Sequence, residues 1–273
     1  MRLALVTDMH FGQPARHEGK LRKMADHAQP LMRAFVEHMN GVERPDVVVN
    51  LGDVIEDESA AADLENYQAF LAALSGIEAP VLHVAGNHDL VNLAPAELAQ
   101  LWSHRGELFY SREIGGYRLL VLCTHHRRRV DVRLPAEQLA WLESELTRSQ
   151  LPCLVFVHHP LCEMDLRGNV WFEKQPNICR VAERRRVREV LEQSRRVVGV
   201  FSGHAHWNYL SVIADIPYVT LQSLTENVEV DAPGRPSRSW AVVDVEHGWL
   251  NVRVSGEHPA HYRISVPALG GWW

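Results

Sequence analysis

Residues 84–93 read VAGNHDLVNL, an apolar run that meets a glycine and then three adjacent polar side chains. Asn87, His88 and Asp89 can each bind a metal ion or move a proton. A single stretch of this kind is also typical of a turn that follows a β-strand. Whether it marks a functional site therefore depends on whether other segments of the chain repeat the same order.

Four other apolar runs in the chain end in the same kinds of side chain. They end at residues 8–10 (DMH), 52–53 (GD), 158–160 (HHP) and 203–206 (GHAH). In α/β sheets, ligands bind beyond the carboxyl ends of the strands. Glycine lets the backbone turn sharply and come close to a bound group, which is the role we expect for Gly86. The repetition predicts that five strand ends meet around one ligand.

The order of apolar patterns predicts a layered α/β architecture. Strands are expected at residues 2–7, 45–53, 79–86, 117–124, 151–159 and 196–204. Helices are expected at residues 16–39 with a break near Pro30, at 64–74, from Pro95, at 135–146 and at 180–193. The rest of the chain shows short strands separated by turns, which is typical of a β-meander. Together these patterns favour a sheet packed on a sheet.

We predict a single domain over residues 1–273. Residues 1–210 carry the polar strand ends, and residues 211–273 are expected to form a β-meander that completes the second sheet and ends in a tail. A chain of 273 residues with 46% hydrophobic residues is long enough to bury a sizeable core.

Charge and cysteine content restrict the class of function. A net charge of −6 argues against an electrostatic grip on duplex nucleic acid, which needs clustered Lys and Arg. The four cysteines form no CxxC pair, and Cys123 and Cys153 lie in apolar runs, which favours small core residues in a reducing compartment. The N-terminal apolar stretch is too short for a signal peptide, and no run approaches the length of a membrane span. We therefore expect a cytoplasmic protein without a membrane partner.

The side chains at the strand ends suit divalent transition-metal ions. Imidazole, carboxylate and amide oxygen favour Mn, Fe, Zn, Ni or Co, and no cysteine belongs to the set. Seven candidate ligands are too many for one ion: Asp8, His10, Asp53, Asn87, His158, His204 and His206. Two ions that share a bridging carboxylate would lie about 3.5–4 Å apart. Such a pair activates water at neutral pH and neutralises charge on phosphoryl oxygens, which indicates phosphoester hydrolysis.

The ordered set D-x-H, G-D, G-N-H-D, H-x-P and G-H-x-H resembles the calcineurin-like metallophosphoesterase superfamily. The resemblance implies a four-layer α/β/β/α sandwich with mixed sheets. It also implies that Asp53 bridges two metal ions, each with its own further ligands. The first ion would be held by Asp8, His10 and His206, and the second by Asn87, His158 and His204.

The same resemblance gives His88 a role at the substrate instead of at a metal. It implies that His88, next to Asn87, contacts the phosphate and helps the leaving group depart. We expect Asp89 to orient His88. Either His158 or His159 could be the metal ligand; the H-x-P spacing favours His158 and leaves His159 as a contact either to a metal ligand or to the substrate.

Departures from the motifs of other members of the superfamily narrow the range of activities that we expect. GDVIEDE and GNHDL lack the arginine with which related protein phosphatases grip phosphate, and Glu56 replaces the tyrosine ligand of purple acid phosphatases. EQLAWLESEL, VFVHHP and VFSGHAHWN resemble bacterial class III cyclic-nucleotide phosphodiesterases and glycerophosphodiesterases, although Cys123 and Thr124 stand where many of these carry an aspartate. We predict hydrolysis of a small phosphodiester by attack of a metal-bridging hydroxide. The alternatives are a nucleoside-diphosphate-type pyrophosphatase, a phosphomonoesterase and a non-catalytic metal-binding scaffold.

Three segments have more than one interpretation. HHRRRV at residues 125–130 is either a solvated loop or a phosphate contact. Residues 162–177 are expected to form a loop beside the site, with Trp171 and Phe172 available to stack on a base or to cover the metals. The tail ALGGWW at residues 268–273 is expected to dock on this chain or on a second copy, and the second alternative would give a homo-oligomer.

Overall fold

The computed structural model of the chain describes residues 1–246 and 248–266. Its strands are β1 (Arg2–Val6), β2 (Ala15–His17), β3 (Lys20–Lys23), β4 (Val47–Asn50), β5 (Val81–His83), β6 (Tyr110–Ile114), β7 (Tyr117–Val121), β8 (His125–Arg127), β9 (Asp131–Arg133), β10 (Cys153–Phe156), β11 (Val197–Ser202), β12 (Tyr209–Ile213), β13 (Ile216–Thr220), β14 (Trp240–Glu246), β15 (Trp249–Ser255) and β16 (Ala260–Ser265). Its α-helices are α1 (Ala28–His38), α2 (Ala60–Leu74), α3 (Asp89–Asn92), α4 (Pro95–Leu101), α5 (Ala136–Arg148) and α6 (Arg184–Ser194). Short helical turns lie at Ala25–His27, Met39–Glu43 and Pro176–Ile178.

Two six-stranded sheets form the centre of the molecule. The first has the order β16-β15-β14-β1-β4-β5, and the second has the order β12-β13-β11-β10-β7-β6. Strands β1, β4 and β5 run parallel, as do β7, β10, β11 and β13, while the outer pairings are antiparallel. The carboxyl ends of the parallel strands within each sheet therefore lie at one edge of that sheet.

Alternation along the strands builds four layers. On β1, Leu3 and Leu5 join the cluster between the sheets, where they share a core with Phe156 of β10. Ala4 and Val6 point to the other face and pack in the cluster that contains residues of α1 and α2. Helices α5 and α6 cover the outer face of the second sheet in a third cluster. This two-residue alternation between buried faces gives the α/β/β/α sandwich that we predicted.

Two predictions about the fold are wrong: where the first helix begins and which sheet the C-terminal strands join. The long helix predicted from residue 16 does not begin there. Residues 15–23 form the hairpin β2–β3, and the first α-helix starts only at Ala28, after a short helical turn at Ala25–His27. The C-terminal meander does not complete the second sheet alone, because β14, β15 and β16 add to the first sheet beside β1 while only β12 and β13 join the second. The tail at residues 268–273 lies outside the described residues, so its docking stays a prediction.

The four cysteines are unpaired and buried, as expected for core residues. Within the described ranges, none of the helices combines the length and the apolar composition that crossing a bilayer requires.

Candidate metal centre and active site

The loops that follow β1, β4 and β11 hold their polar residues in an unusual backbone conformation. Five of the candidate ligands have positive φ angles, between 49° and 64°: Asp8, His10, Asp53, His204 and His206. Residues other than glycine visit this left-handed region at a cost of about 1–3 kcal/mol, and such residues cluster at functional sites. The fold therefore stores strain where the strand ends meet.

Glycines at this edge allow the loops to pack against each other. A Cβ atom added to Gly86 would lie 2.1 Å from Oδ1 of Asp53, and one added to Gly203 would lie 2.0 Å from Oγ1 of Thr7. No side chain fits at either position without displacing a loop. The close approach of backbone and ligand is thus the physical reason for glycine in GNHD and GHAH.

Six of the seven candidate ligands, all except Asn87, converge in one buried cluster. Each of three groups offers ligand atoms that lie within 4.8 Å of one another. These groups are Asp8, His10 and His206; Asp8, Asp53 and His158; and His158, His159 and His204; a fourth group, His10, Glu56 and His88, adjoins them through His10. Because Asp8 and His158 each belong to two groups, the three groups form one continuous set of nitrogen and oxygen donors.

This cluster fits the requirements of divalent transition-metal ions. Oδ1 of Asp8 and Oδ1 of Asn87 are buried and make no hydrogen bond within the protein. Orphaned buried acceptors cost free energy unless another partner satisfies them, and a cation is such a partner. Carboxylate, amide and imidazole donors are those that Mn, Fe, Zn, Ni and Co bind. The residues present can therefore hold metal.

The two adjacent histidines occupy different places in the cluster. Nε2 of His158 lies 3.2 Å from Oδ2 of Asp53, and its Nδ1 donates to the carbonyl of Leu51 at 2.8 Å. Nδ1 of His159 lies 2.7 Å from Oγ1 of Thr124, and His159 belongs to the same group as His158. The contact to Asp53 supports His158 as the ligand, and the choice stays a prediction.

Hydrogen bonds behind the histidines fix which ring nitrogen faces the cluster. Nδ1 of His206 lies 2.6 Å from Oε2 of Glu226, which leaves Nε2 directed at Asp8 at 3.2 Å. Nε2 of His204 lies 3.0 Å from the carbonyl of Ile178, so that Nδ1 is its free nitrogen. Such partners orient metal ligands and raise their basicity.

The side chains of the candidate ligands differ in their pKa shifts. Burial opposes ionisation of Asp8, but the charges of His206 and His158 outweigh it and lower the pKa of the Asp8 carboxyl. Burial would also lower the pKa of His206, but Asp8 and Glu226 raise it to about 10. His158 behaves likewise, because Asp53 outweighs burial and raises its pKa to about 9. Metal-free protein therefore holds protons on two candidate ligands at neutral pH.

Metal binding should consequently release protons. Raising the pH toward the raised pKa values of His158 and His206 removes the competing protons, so the apparent metal affinity should increase between pH 6 and pH 9, while acidification should weaken it. Calorimetric titration with Mn²⁺ at neutral pH, in buffers of different ionisation enthalpy, should show release of about two protons. An affinity that is constant over this range, without buffer dependence, would contradict the assigned ligands.

His88 lies beside the ligands and is held by a carboxylate from another loop. Its Nδ1 lies 2.6 Å from Oδ1 of Asp57, and its backbone N–H donates to Oδ1 of Asp53 at 2.9 Å. Its Nε2 lies 3.2 Å from Nζ of Lys23. Burial and the charge of Lys23 lower the pKa of His88. The ring is therefore oriented by Asp57.

Asp89 has a different task from the one predicted. Its carboxylate accepts the backbone N–H groups of Asp53 at 3.0 Å, Val54 at 2.9 Å and Gly86 at 2.8 Å. The expectation that Asp89 orients His88 is wrong, because this carboxylate is used to tie the loop after β4 to the loop after β5. It supports the position of Asp53 through the backbone.

The hairpin β8–β9 closes one side of the site. Arg128 in its turn pairs with Asp57, and the ring of His126 lies 5.6 Å from that of His159. Residues 125–130 are exposed except for His126, as predicted for a solvated segment, but His125–Arg127 form the strand β8 and not a loop. Next to the hairpin is a cavity of about 400 Å³, lined by Asn87, Leu90, Val91, Thr124, His126 and Arg128 among others. A volume in this range suits a small organic ligand.

The loop at residues 162–177 closes another side. The ring of Phe172 is buried 4.6 Å from that of His204, so it packs against a candidate ligand and cannot stack on a base. Trp171 is half-buried, lies 5.4 Å from the ring of His206 and donates its indole N–H to Glu226 at 3.1 Å. Trp171 remains a candidate contact to the substrate.

Sequence reasoning missed three residues of this site: Lys23, Asp57 and Glu226. Asp57 follows Asp53 by four positions within GDVIED, so its place in the motif loop was a usable signal. Lys23 and Glu226 lie outside every recognised motif, and nothing in the local sequence indicates that they reach the site.

Comparison with protein families supports the resemblance drawn from the motifs. The model of the calcineurin-like phosphoesterase family matches residues 1–208. The chain belongs to the calcineurin-like phosphoesterase family, and its two sheets with outer helices are the fold of metallophosphoesterases.

Similar proteins include two bacterial phosphodiesterases. A glycerophosphodiester phosphodiesterase of Enterobacter lignolyticus is 30% identical over 214 residues, 76% of this chain and 71% of that protein. A probable cyclic nucleotide phosphodiesterase of Synechococcus sp. is 30% identical over 174 residues, 61% of this chain and 60% of that protein, so the match spans less than two thirds of that relative. Among solved structures, a dimetal phosphatase from Danio rerio has a TM-score of 0.80 at 18% identity and covers 97% of this chain and 99% of its own, which shows a shared fold.

Proposed function

We propose that the protein is a dinuclear metal-dependent phosphodiesterase that hydrolyses a small phosphodiester. The observation that carries this proposal is the convergence of the buried donor groups, joined through Asp8 and His158, beside His88, whose Nδ1 is bound to Asp57. One ion would be held by Asp8, His10 and His206, the other by Asn87, His158 and His204, with Asp53 between them. When bound, the ions would activate a water molecule and neutralise charge on the phosphoryl oxygens.

The residues of the chain supply the remaining parts of the reaction. Asp8 and Asp53 have lowered pKa values, despite their burial, through neighbouring histidines, so both are ionised at neutral pH and can hold cations. Asp57 fixes the ring of His88 so that Nε2 faces the leaving oxygen of the substrate. Trp171 and the hairpin β8–β9 flank the site and limit the access of water.

The substrate class is proposed from the cavity and from the relatives. A diester needs room for a second organic group, and the cavity of about 400 Å³ next to Asn87 offers it. Cyclic nucleotides and glycerophosphodiesters are the substrates named for the similar proteins, and either is compact enough for such a volume. Contacts from His159 and Trp171 to the substrate belong to the same proposal. Cleavage of nucleoside-diphosphate-type pyrophosphates or of monoesters is the alternative activity.

A chelation experiment tests the proposed function. Treatment with a chelator should abolish hydrolysis of bis-p-nitrophenyl phosphate, and added Mn²⁺ should restore it, because the buried carboxylates and imidazoles need cations to act. Hydrolysis of p-nitrophenyl phosphate should be slower under the same conditions. Full activity in metal-free protein would contradict the proposal, and a lack of hydrolysis with every metal tested would favour a metal-binding scaffold.

We further propose that the protein acts in the cytoplasm on a small phosphoester. The four buried, unpaired cysteines support a reducing compartment. A net charge of −6 is unfavourable for binding duplex nucleic acid. Association with a second copy stays a prediction.

A further inference from the structure

Lys23 is a buried cation to which the proposed function gives no task. Its side chain is 5% exposed, and Nζ lies 2.8 Å from Oε2 of Glu56 and 3.2 Å from Nε2 of His88. Burying an ammonium group costs several kcal/mol unless the charge is well paired. A lysine retained at this depth therefore needs a reason beyond filling space.

The position of Lys23 is fixed by the fold. It ends β3, and its backbone forms a bridge with Glu226, the carboxylate that orients His206. On either side, the N–H of Met24 donates to the carbonyl of Thr225 at 2.9 Å, and that of Asn227 to the carbonyl of Arg22 at 2.7 Å. The ammonium group also lies 5.3 Å from the ring centroid of Trp171. The hairpin β2–β3 is thus attached to the segment that supports the metal centre.

The hydrogen bonds around His88 make Lys23 the hydrogen-bond donor in its contact with Nε2 of His88. Asp57 accepts the Nδ1 proton, so the neutral ring offers a lone pair at Nε2, and an ammonium group can only donate to it. An ammonium group has three N–H donors, so Nζ can bind Glu56 and Nε2 of His88 and still donate to an oxygen beside the ring. A leaving oxygen gains negative charge as its bond to phosphorus breaks, and it needs a hydrogen-bond donor.

We propose that Lys23 is a catalytic residue that stabilises the leaving oxygen by a charge-assisted hydrogen bond. The inference rests on the proposed phosphodiesterase function and adds the group that stabilises the departing alcohol. In this step the oxygen of water forms a bond to phosphorus, and the bond from phosphorus to the leaving oxygen breaks with its electron pair on that oxygen. Lys23 holds the charged oxygen until a proton from water neutralises it.

The competing explanation is an ion pair that only neutralises Glu56. The two explanations differ in how they depend on the leaving group. A good leaving group such as p-nitrophenolate carries its own charge well, while phenolate needs more help. Loss of a structural ion pair would slow both substrates equally, whereas loss of a catalytic donor would slow the poorer leaving group more.

The test compares p-nitrophenyl methyl phosphate with phenyl methyl phosphate as substrates of the Mn²⁺-loaded protein. Lys23→Met should lower kcat by about 100-fold on the phenyl ester and by no more than about threefold on the p-nitrophenyl ester. Lys23→Arg, which keeps a cation, should recover most of the loss. Lys20→Met serves as the matched control, since Lys20 is an exposed lysine on the same strand. Metal content and melting temperature are measured for every variant.

The outcomes distinguish a failure of the role proposed for Lys23 from a failure of the proposed phosphodiesterase function. Equal losses on both esters, or no loss, with unchanged metal content would overturn the role of Lys23 while the phosphodiesterase function stands. If the unmodified protein hydrolysed neither ester at any metal loading, the proposed function itself would fail, and this inference with it. A larger loss on the phenyl ester, rescued by arginine, would support it.

Discussion

Asp53→Asn should abolish metal binding and lower kcat/KM by at least about a thousandfold, because it removes the negative charge that we propose to lie between two ion sites. The change keeps the size of the side chain and the oxygen that accepts the N–H of His88. Its effect should therefore come from lost charge and not from a collapsed loop. Metal content by elemental analysis and kcat/KM for bis-p-nitrophenyl phosphate check both parts.

The matched control for this change is Asp26→Asn, which alters an exposed carboxylate away from the cluster. It should keep both metal and activity. If Asp53→Asn bound as much metal as the unmodified protein and kept its activity, the bridging role assigned to Asp53 would be wrong.

His88→Gln should separate metal binding from catalysis. We expect metal content to stay unchanged while kcat falls by about 10²–10³-fold, the range for loss of a group that supports charge development on the leaving oxygen, because the ring that holds Nζ of Lys23 is lost. The reason is that Nδ1 of His88 is bound to Asp57 and its Nε2 faces Lys23, so that neither nitrogen is needed as a metal ligand. Elemental analysis together with kcat under saturating substrate measures the two effects.

Two further variants serve as a supporting test and a control for the result with His88→Gln. Asp57→Asn should lower kcat on the order of tenfold or more, because the ring of His88 loses the carboxylate that orients it. His261→Gln, an exposed histidine on the edge strand β16, should have no effect on kcat. Equal loss of metal in His88→Gln and Asp53→Asn would refute the division of roles between the two residues.

The sequence predicted the sheets and the ligand cluster because both follow from local patterns. Buried parallel strands are continuous apolar runs, as in Val47–Asn50, and each run ends where polar loop residues begin. Parallel neighbours bring those ends to one edge, so the order of motifs was enough to predict that Asp8 after β1 and Asp53 after β4 lie close together.

The same reasoning failed where a contact depends on tertiary structure. Leu21, Met24 and Leu31 match helical spacing, but the chain forms the hairpin β2–β3 before α1 begins. Local periodicity cannot show that a strand partner is available. This error also hid Lys23, whose place in the site depends on that hairpin.

Adjacent positions in the sequence were a poor guide to the partner of His88. Asp89 is its neighbour along the chain, yet the carboxylate of Asp89 is used by backbone amides of two loops. Asp57 arrives from the loop after β4 and binds Nδ1 instead. Which of two acids contacts a ring depends on loop geometry, and a motif does not encode that geometry by itself.

The central claim is that one pocket holds two divalent cations, and anomalous scattering from crystals of the Mn²⁺-loaded protein tests it most directly. The account predicts two manganese peaks on either side of Asp53, one in contact with Asp8, His10 and His206 and the other with Asn87, His158 and His204. A single peak, or peaks outside this cluster, would contradict it.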